Sequence, residues 1–542
     1  MKCNFYYLIF IGILLISFPV FAQKTVVIVQ PDAGLDIGAL NNAIANAADP
    51  GNTIFELKKG GLYLLNGSIA FTGYTLHIRA EEGTGLRPVL QPAVDQQGSA
   101  SRHFNSSGNL TLEGLYPQGR SELGAVIDQP IRVSGKDTKV IINDCFIDYA
   151  NSTAVRLNTS GNSVFISNSI IRNSLLPDNP DNGRLVDTRS NPTDTISVVN
   201  STIYNGGSRL IRTAGANIKY VELNHNTIYQ VSIKENFMLD AIKEAKITNN
   251  IFYNFSYRAN NTLHDPIFTV DSIGVGGEYT DAERHFNLSN NNFYQQKEIA
   301  DVFDNFGADT LYRYNAWDTL QLNKIEFRYV INTNLFANKS ILDTAVLTPK
   351  PVLLHFIENG QVDTTNIFSE MLEFDNAPPL NLDYLKFYVE NGYAIGGTNP
   401  PNPFADENPD VLGEVSSGAY TFSYLSSTKS ATAAEGGKPL GDPRWEIIED
   451  NTSVNNLNSL STIITYPNPS NGQFTLNYSP KTGKNVTLYV VNMLGKKVFY
   501  KEYQNNPSII EEINLRDLGK GLYFVQIEED RQMSATCKIM IK

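Results

Sequence analysis

The chain has 542 residues, 42% of them apolar and 18% charged, with 43 Lys and Arg against 56 Asp and Glu for a net charge of −13. That apolar fraction supports a packed core and excludes an intrinsically disordered chain. The acidic balance excludes a general nucleic-acid binder, because a phosphate-binding surface needs a surplus of Lys and Arg.

The first element is a targeting segment over residues 1–22. Lys2 gives a positive start, Phe5 to Phe21 is almost wholly apolar, and Val20-Phe21-Ala22 offers a signal-peptidase site, so a cleaved secretory signal is expected. Cys3 precedes the apolar run, which argues against a lipoprotein anchor. No later segment reaches the roughly eighteen apolar residues of a membrane span, so the mature chain is not expected to cross one. Export permits disulfides, but Cys145 and Cys537 lie 392 residues apart in regions assigned to different domains, and no bridge is expected.

Residues 23–445 form the body. Leu40-Asn41-Asn42-Ala43-Ile44 has helical apolar spacing, Asp49-Pro50-Gly51 turns the chain, and Thr53-Ile54-Phe55-Glu56-Leu57 and Gly61-Leu62-Tyr63 follow as strands. Beyond them a short grammar repeats: an apolar residue, a turn former two positions later, and an apolar residue five positions later. The polar column is Asp144, Asn168, Asn200, His225, Asn249 and Asn290, at intervals of 24, 32, 25, 24 and 41 residues. Asn tolerates left-handed backbone, so each row predicts a β-strand ending in a sharp corner whose amide bonds to the turns above and below. Arg156-Leu157, Arg184-Leu185 and Arg209-Leu210 suggest a second column. The pattern predicts an all-β parallel solenoid capped by the N-terminal segment, since open ends expose apolar core and unpaired edges.

The capping helix, Pro-Gly turn, Thr-Ile strand, Gly-x-Tyr and Asn-Asn-x-Phe rows together resemble the right-handed parallel β-helix proteins of the pectate-lyase-like superfamily, including its chondroitinase B and alginate lyase branch. Residues 300–445 are expected to hold late turns and an excursion packed on the solenoid. Gly436-Gly437-Lys438-Pro439-Leu440-Gly441-Asp442-Pro443-Arg444-Trp445 resembles the closing segment of secreted β-helix proteins. A polar linker is expected over 446–460.

The last stretch, 461–542, alternates strands with glycine turns and suggests a small β-sandwich. Tyr466-Pro467-Asn468-Pro469, Leu494-Gly495-Lys496, Gly521-Leu522-Tyr523 and the terminal Lys538-Ile539-Met540-Ile541-Lys542 resemble the C-terminal sorting domain of the type IX secretion system. Asn492 stands where that family commonly has Asp. The resemblance implies handling by the type IX machinery, passage through the periplasm, and release outside the cell or attachment at its surface. The domain has ten basic and seven acidic residues, which leaves the 23–460 body at −17.

Within that acidic body, residues 140–260 hold 11 Lys and Arg against 10 Asp and Glu, a local enrichment compatible with an anionic glycan. By resemblance, β-helix lyases abstract the proton α to a uronate carboxylate with a Lys or Arg base while Ca²⁺ quenches the carboxylate. On that basis Lys243 and Arg212 are the catalytic candidates. Arg156, Arg184, Arg209 and Lys219 are candidate substrate ligands, and Asp187 and Asp240 candidate Ca²⁺ ligands. Lys219 and Lys246 are further candidate bases, and His225 is read as a corner residue standing in for Asn. The competing reading makes Asp187, Arg212 and Asp240 a plain surface ion ladder. The Tyr204, Tyr229, Tyr253 and Tyr294 column is either sugar-stacking surface or packing at a turn edge. The expected function is thus a monomeric secreted or surface protein acting on polysaccharide, a uronate lyase in one reading and a non-catalytic glycan binder or adhesin in the other. A purely structural surface-layer role is a third.

Overall fold

The computed structural model describes residues 24–33, 37–179, 182–231, 237–239, 241–255, 268–269, 278–294, 359–390, 420–450, 464–478, 485–492, 496–504, 508–529 and 532–542, with a few isolated positions between them. The expected signal over 1–22 and most of the expected late turns, 299–355 and 391–419, lie outside these residues. The chain divides into two compact units, Met1–Ile448 and Glu449–Lys542.

In the first unit one repeat of the sequence makes one turn of a solenoid. Lys139–Asn143 runs along one face, Asp144 turns the chain, Phe146–Ala150 crosses the second face and Val155–Leu157 the third. Asn162–Ser167 then lies parallel to the starting strand, with Val140 opposite Val164 and Ile142 opposite Ile166. Repetition builds an eleven-stranded parallel sheet from Thr25–Val29 to Val362–Asp363. A seven-stranded sheet begins at Phe146–Ala150, and a six-stranded one spans Ile69–Thr72 to Arg209–Arg212. This is the expected parallel β-helix. Its inward-facing residues stack by type, as in the buried column Leu110, Val140, Val164, Ile196, Val221, Ala245 and Phe286. At the N-terminal end the helix Ala39–Ala45 turns Leu40 and Ile44 onto this core, as a cap requires.

The corner column is present in full. Asp144, Asn168, Asn200, His225, Asn249 and Asn290 all have φ between 50° and 62°, the left-handed region where a short amide side chain is least strained. Gly114 and Asn366 extend the column at either end. Asp144 departs from Asn because Arg87 reaches it, donating to its carbonyl at 2.7 Å and to its carboxylate. A second left-handed column lies five residues further on, at Tyr149, Asn173, Asn205, Gln230 and Asn254.

The expected corner ladder is present only in part. Asn200 donates to Asn168 at 3.4 Å, whereas Asn168 and Asn249 donate instead to Asn143 and Asn224, at 2.9 and 2.8 Å. The continuous ladder runs one residue later, where the chain has turned inward. There the backbone N–H of Cys145 donates to Ser169 Oγ, that of Ser169 to Ser201 Oγ, and that of Ser201 to Asn226 Oδ1. Asn226 donates likewise to Asn250 and Asn250 to Asn291, each also through its side-chain amide, at 2.9–3.0 Å. All six residues have no solvent exposure. With no water available, each donor depends on the turn above it.

The segment ending the first unit straps the second sheet. Arg444 donates to the carbonyls of Asn168 and Ser169 at 2.8 and 2.9 Å and pairs with Asp442, which accepts from Thr202 Oγ1 at 2.7 Å. Trp445 Nε1 also donates to Thr202 Oγ1, at 2.7 Å. Gly441 is obligatory here, because at φ 83° a Cβ would sit 2.7 Å from Thr227 Oγ1 and 2.8 Å from Ile251 Cδ1. Tyr384, from the aromatic stretch expected among the late turns, belongs to a helix, Leu382–Glu390, and its hydroxyl donates to the Pro177 carbonyl at 3.0 Å.

The second unit is an antiparallel β-sandwich. Ile464–Tyr466, Gln473–Tyr478 and Ile509–Asn514 form one sheet. Lys497–Gln504, Asn485–Asn492, Gly521–Glu529 and Gln532–Ile541 form the other. Phe474, Leu476, Leu488, Val490, Val525 and Ile539 fill the space between the two sheets.

Two predictions follow from this interior. Asn250→Ala strips acceptors from the buried Asn226 N–H and amide and is expected to cost about 3 kcal/mol, against about 1 kcal/mol for Asn168→Ala at the corner. Urea unfolding of the two variants measures the order, and the reverse order would contradict the inner ladder's primacy. His103 is fully buried, its Nε2 donating to the Leu90 and Gln118 carbonyls at 2.9 and 3.1 Å, and burial pushes its pKa down to about 4. The unfolded chain then takes up that proton first, so stability is complete above about pH 6.5 and falls toward pH 4 by up to about 3 kcal/mol. His103→Gln should flatten this part of the stability–pH curve.

Candidate functional site

The third sheet gathers most of the arginines singled out in the sequence. Its register puts Ile131, Val155, Val186 and Ile211 in one column and Arg132, Arg156, Asp187 and Arg212 in the next. Arg184 lies opposite Arg209. Arg156 therefore shares its column with Asp187 and Arg212, and not with Arg184 and Arg209 as the Arg-Leu dipeptides suggested. The reason is that Arg184 and Arg209 each stand three residues before the column, whose members on those two strands are Asp187 and Arg212.

Glycines set the last two strands close together. Gly207 N–H donates to the Ser174 carbonyl at 2.8 Å and Arg209 N–H to that of Gly183 at 3.3 Å. A Cβ on Gly183 would meet Ser174 O at 2.3 Å and Gly207 Cα at 2.8 Å. This close approach brings the strands bearing Arg184 and Arg209 side by side.

The electrostatics centre on Asp187, whose side chain has no solvent exposure. Its Oδ1 accepts from the Arg189 backbone N–H at 3.0 Å, and Arg212 reaches both oxygens at 3.4 Å. Burial pushes the Arg184 guanidinium down to about 10; Asp187 opposes the shift, and Arg212, Arg156 and Arg189 add to it. Arg156 and Arg102 are also lowered, chiefly by burial, with Arg132 a repelling neighbour of both and Asp128 an attracting one. Arg156 donates to Ser152 Oγ at 2.9 Å, while its Nε and that of Arg102 are buried without an acceptor. Arg102, Arg132, Arg156, Arg184, Arg189, Arg209 and Arg212 gather around this face, where Asp128 attracts Arg102 and Arg156 and Asp187 attracts Arg156 and Arg184.

Arg102, Arg132 and Arg189 were not singled out in the sequence. Arg132 carried a signal, because Ile131-Arg132-Val133 repeats the apolar-Arg-apolar pattern of Val155-Arg156-Leu157 twenty-four residues earlier. Arg102 and Arg189 lie in loops and carried none.

The lysine candidates lie elsewhere, beside or on the long sheet. Lys243 belongs to Ile242–Thr248, 3.9 Å from Glu283, whereas Arg212 belongs to Arg209–Arg212 on the third sheet. The two catalytic candidates therefore lie on different sheets. Lys219 bonds to Asp194 at 2.7 Å with Glu278 at 3.6 Å, and its pKa is raised, first by the Asp194 hydrogen bond. Lys246 lies 3.6 Å from Glu222. Asp240, the second metal candidate, lies outside the described residues. No three His, Cys, Asp or Glu side chains converge among the described residues.

The remaining candidates are structural. Tyr204, Tyr229 and Tyr253 are buried beneath Phe374, Phe422 and the closing segment, with Tyr229 stacked on Tyr253 at 5.3 Å. They form packing and offer no stacking surface to a sugar in this state. His225 occupies its corner with a pKa lowered by burial. Cys145 and Cys537 are both free.

Asp187→Asn would leave the guanidinium groups of Arg156, Arg184 and Arg212 around a neutral buried amide. It is expected to cost about 3 kcal/mol at low ionic strength, with part of the loss recovered in high salt. Thermal melting of wild type and variant across a salt series measures both.

Residues 464–542 match the family model of the secretion system C-terminal sorting domain. No curated protein matches the chain. The matched sandwich marks the protein for export by the type IX route to the cell surface or the extracellular space. No helix among the described residues is long and apolar enough to cross a membrane.

Proposed function

We propose that the protein binds an acidic polysaccharide outside the cell through the arginine face of its β-helix. The observation that carries this reading is the column Arg132, Arg156, Asp187 and Arg212, flanked by Arg184 and Arg209, in a body of net charge −17. Arg132 and Arg156 are direct register partners, and like charges at strand spacing repel, so an anionic ligand lying against them relieves that repulsion. Guanidinium groups suit carboxylates and sulfates because their planar forks match both geometries. Recognition without cleavage is favoured because Lys243 and Arg212 are on different sheets and the acids around Lys219 keep it protonated.

One observation favours a second reading. A base for proton abstraction must be able to lose its own proton, and Arg184 is moved in that direction by burial. A lyase acting on uronate-containing glycan, with Arg184 near the reacting carbon, is the corresponding alternative.

Affinity electrophoresis of residues 23–542 in gels containing alginate, pectate, chondroitin sulfate or a neutral glucan separates the possibilities. Retardation is expected in the acidic gels alone, weakened about tenfold by Arg156→Ala or Arg212→Ala, as loss of one charge-assisted bond predicts. Equal retardation in neutral glucan would overturn the proposal. Release of ultraviolet-absorbing unsaturated sugar, abolished in Arg184→Ala, would favour the lyase.

A further inference from the structure

We propose that the closing segment, residues 433–445, is a latch on the solenoid that His225 releases in acid: the segment stays docked while that ring is neutral and lifts when it takes up a proton. This does not depend on the reading of the arginine face.

The first observation is the path of the segment, which follows the corner column. Asn366 Nδ2 donates to the Ala433 carbonyl at 2.9 Å. At the next covered corner, Asn249 Oδ1 accepts from Glu435 N–H at 3.0 Å and the Asn249 carbonyl from Gly441 N–H at 2.9 Å. Asp442 N–H donates to Thr227 Oγ1 at 3.1 Å, and Arg444 reaches the carbonyl of the Asn168 corner. Between Asn249 and Asn168 stands His225, its ring against the Gly441 backbone. Every other corner from Asn168 to Asn366 is an Asn, which stays neutral at any pH.

The second observation is that the docked ring has no place for a second proton. Its Nδ1 is buried without a hydrogen-bond partner, so a proton there would be a buried donor facing no acceptor. Lys438, on the segment itself, and Lys246, on the neighbouring strand Ile242–Thr248, repel a charged ring. Glu435, also on the segment, attracts it. Glu222, on the strand Ile218–Asn224 that leads into the corner, lies 3.6 Å from Lys246. Burial first, then the two lysines, outweigh Glu435 and the Gly441 hydrogen bond and hold the docked ring below the usual histidine value of 6.5. Lifting the segment restores water around the ring, so the released form binds the proton more readily. Docking is therefore complete above about pH 6.5 and weakens as the pH falls below it. Release bares Thr202, Thr227 and the aromatic cluster in which Trp445 packs on Phe422 at 5.7 Å.

The test is hydrogen exchange of residues 23–542 from pH 7.5 to 5.5, with the Glu435, Gly441 and Asp442 amides compared at each pH with an unstructured peptide of the same sequence. Protection of these amides should fall about tenfold over that range, the limit for one proton and a released value near 6.5. The amides of Val140 and Val164, in the long sheet, should keep their protection, which separates release of the latch from loss of the whole fold. His225→Asn installs the residue of the other corners and should make protection of the segment independent of pH. Lys438→Gln, outside the corner, should make the fall shallower. Thermal melting confirms that each variant is folded. An undiminished fall in His225→Asn, flat protection in the wild type, or a parallel loss at Val140 and Val164 would overturn the inference.

Discussion

The first unit depends on a single constraint: a backbone N–H turned into the interior of a stack must find an acceptor on the neighbouring turn. From Cys145 to Asn291 that acceptor is always a side-chain oxygen on the residue following the corner. A missing acceptor leaves a buried donor unsatisfied, and each such defect costs more than a single good bond contributes. The ladder therefore fixes register as well as stability. A slipped turn would place an apolar side chain opposite an amide donor, and this penalty adds to the mismatch of the stacked Val, Ile and Leu columns.

That fixed register makes the arginine face possible. Strands as short as Val155–Leu157 do little to define their own pairing, yet they carry charges whose effect depends on being superimposed to within a residue. The register comes from the corners. Arg156 and Arg212 each stand twelve residues after their corner, and Asp187 reaches the same column because the loop over 175–183 lengthens its turn. The buried Asp187 stays among Arg156, Arg184 and Arg212 because the scaffold holds it there, and the charge pattern on the outside is set by amides on the inside.

Some of this was legible in the sequence and some was not. The corner column was legible because left-handed backbone restricts residue choice so strongly that Asn recurs at it, and even Asp144 and His225 kept the spacing. The parallel β-helix and the terminal sandwich followed from the same kind of signal. The second left-handed column was hidden because Tyr149 and Gln230 interrupt its Asn pattern. The inner ladder was hidden because Cys, Ser and Asn share the role, so no single residue type marks it. The arginine column was misread because matching Arg-Leu pairs ignores where each pair stands on its strand, and the column falls three residues after Arg184 and Arg209. Nothing in composition or spacing revealed that Lys243 and Arg212 occupy different sheets; only closure of the turn around the solenoid separates them.

The closing segment carries a consequence for how the molecule is made. Arg444 holds carbonyls that precede it by 275 and 276 residues, and Asp442 and Trp445 hold a threonine more than two hundred residues upstream. The middle turns can wind from their own residues, but the tyrosines there stay uncovered until residues 442–445 dock on them. The last act of closing the solenoid therefore belongs to the segment that directly precedes the sorting domain in the chain.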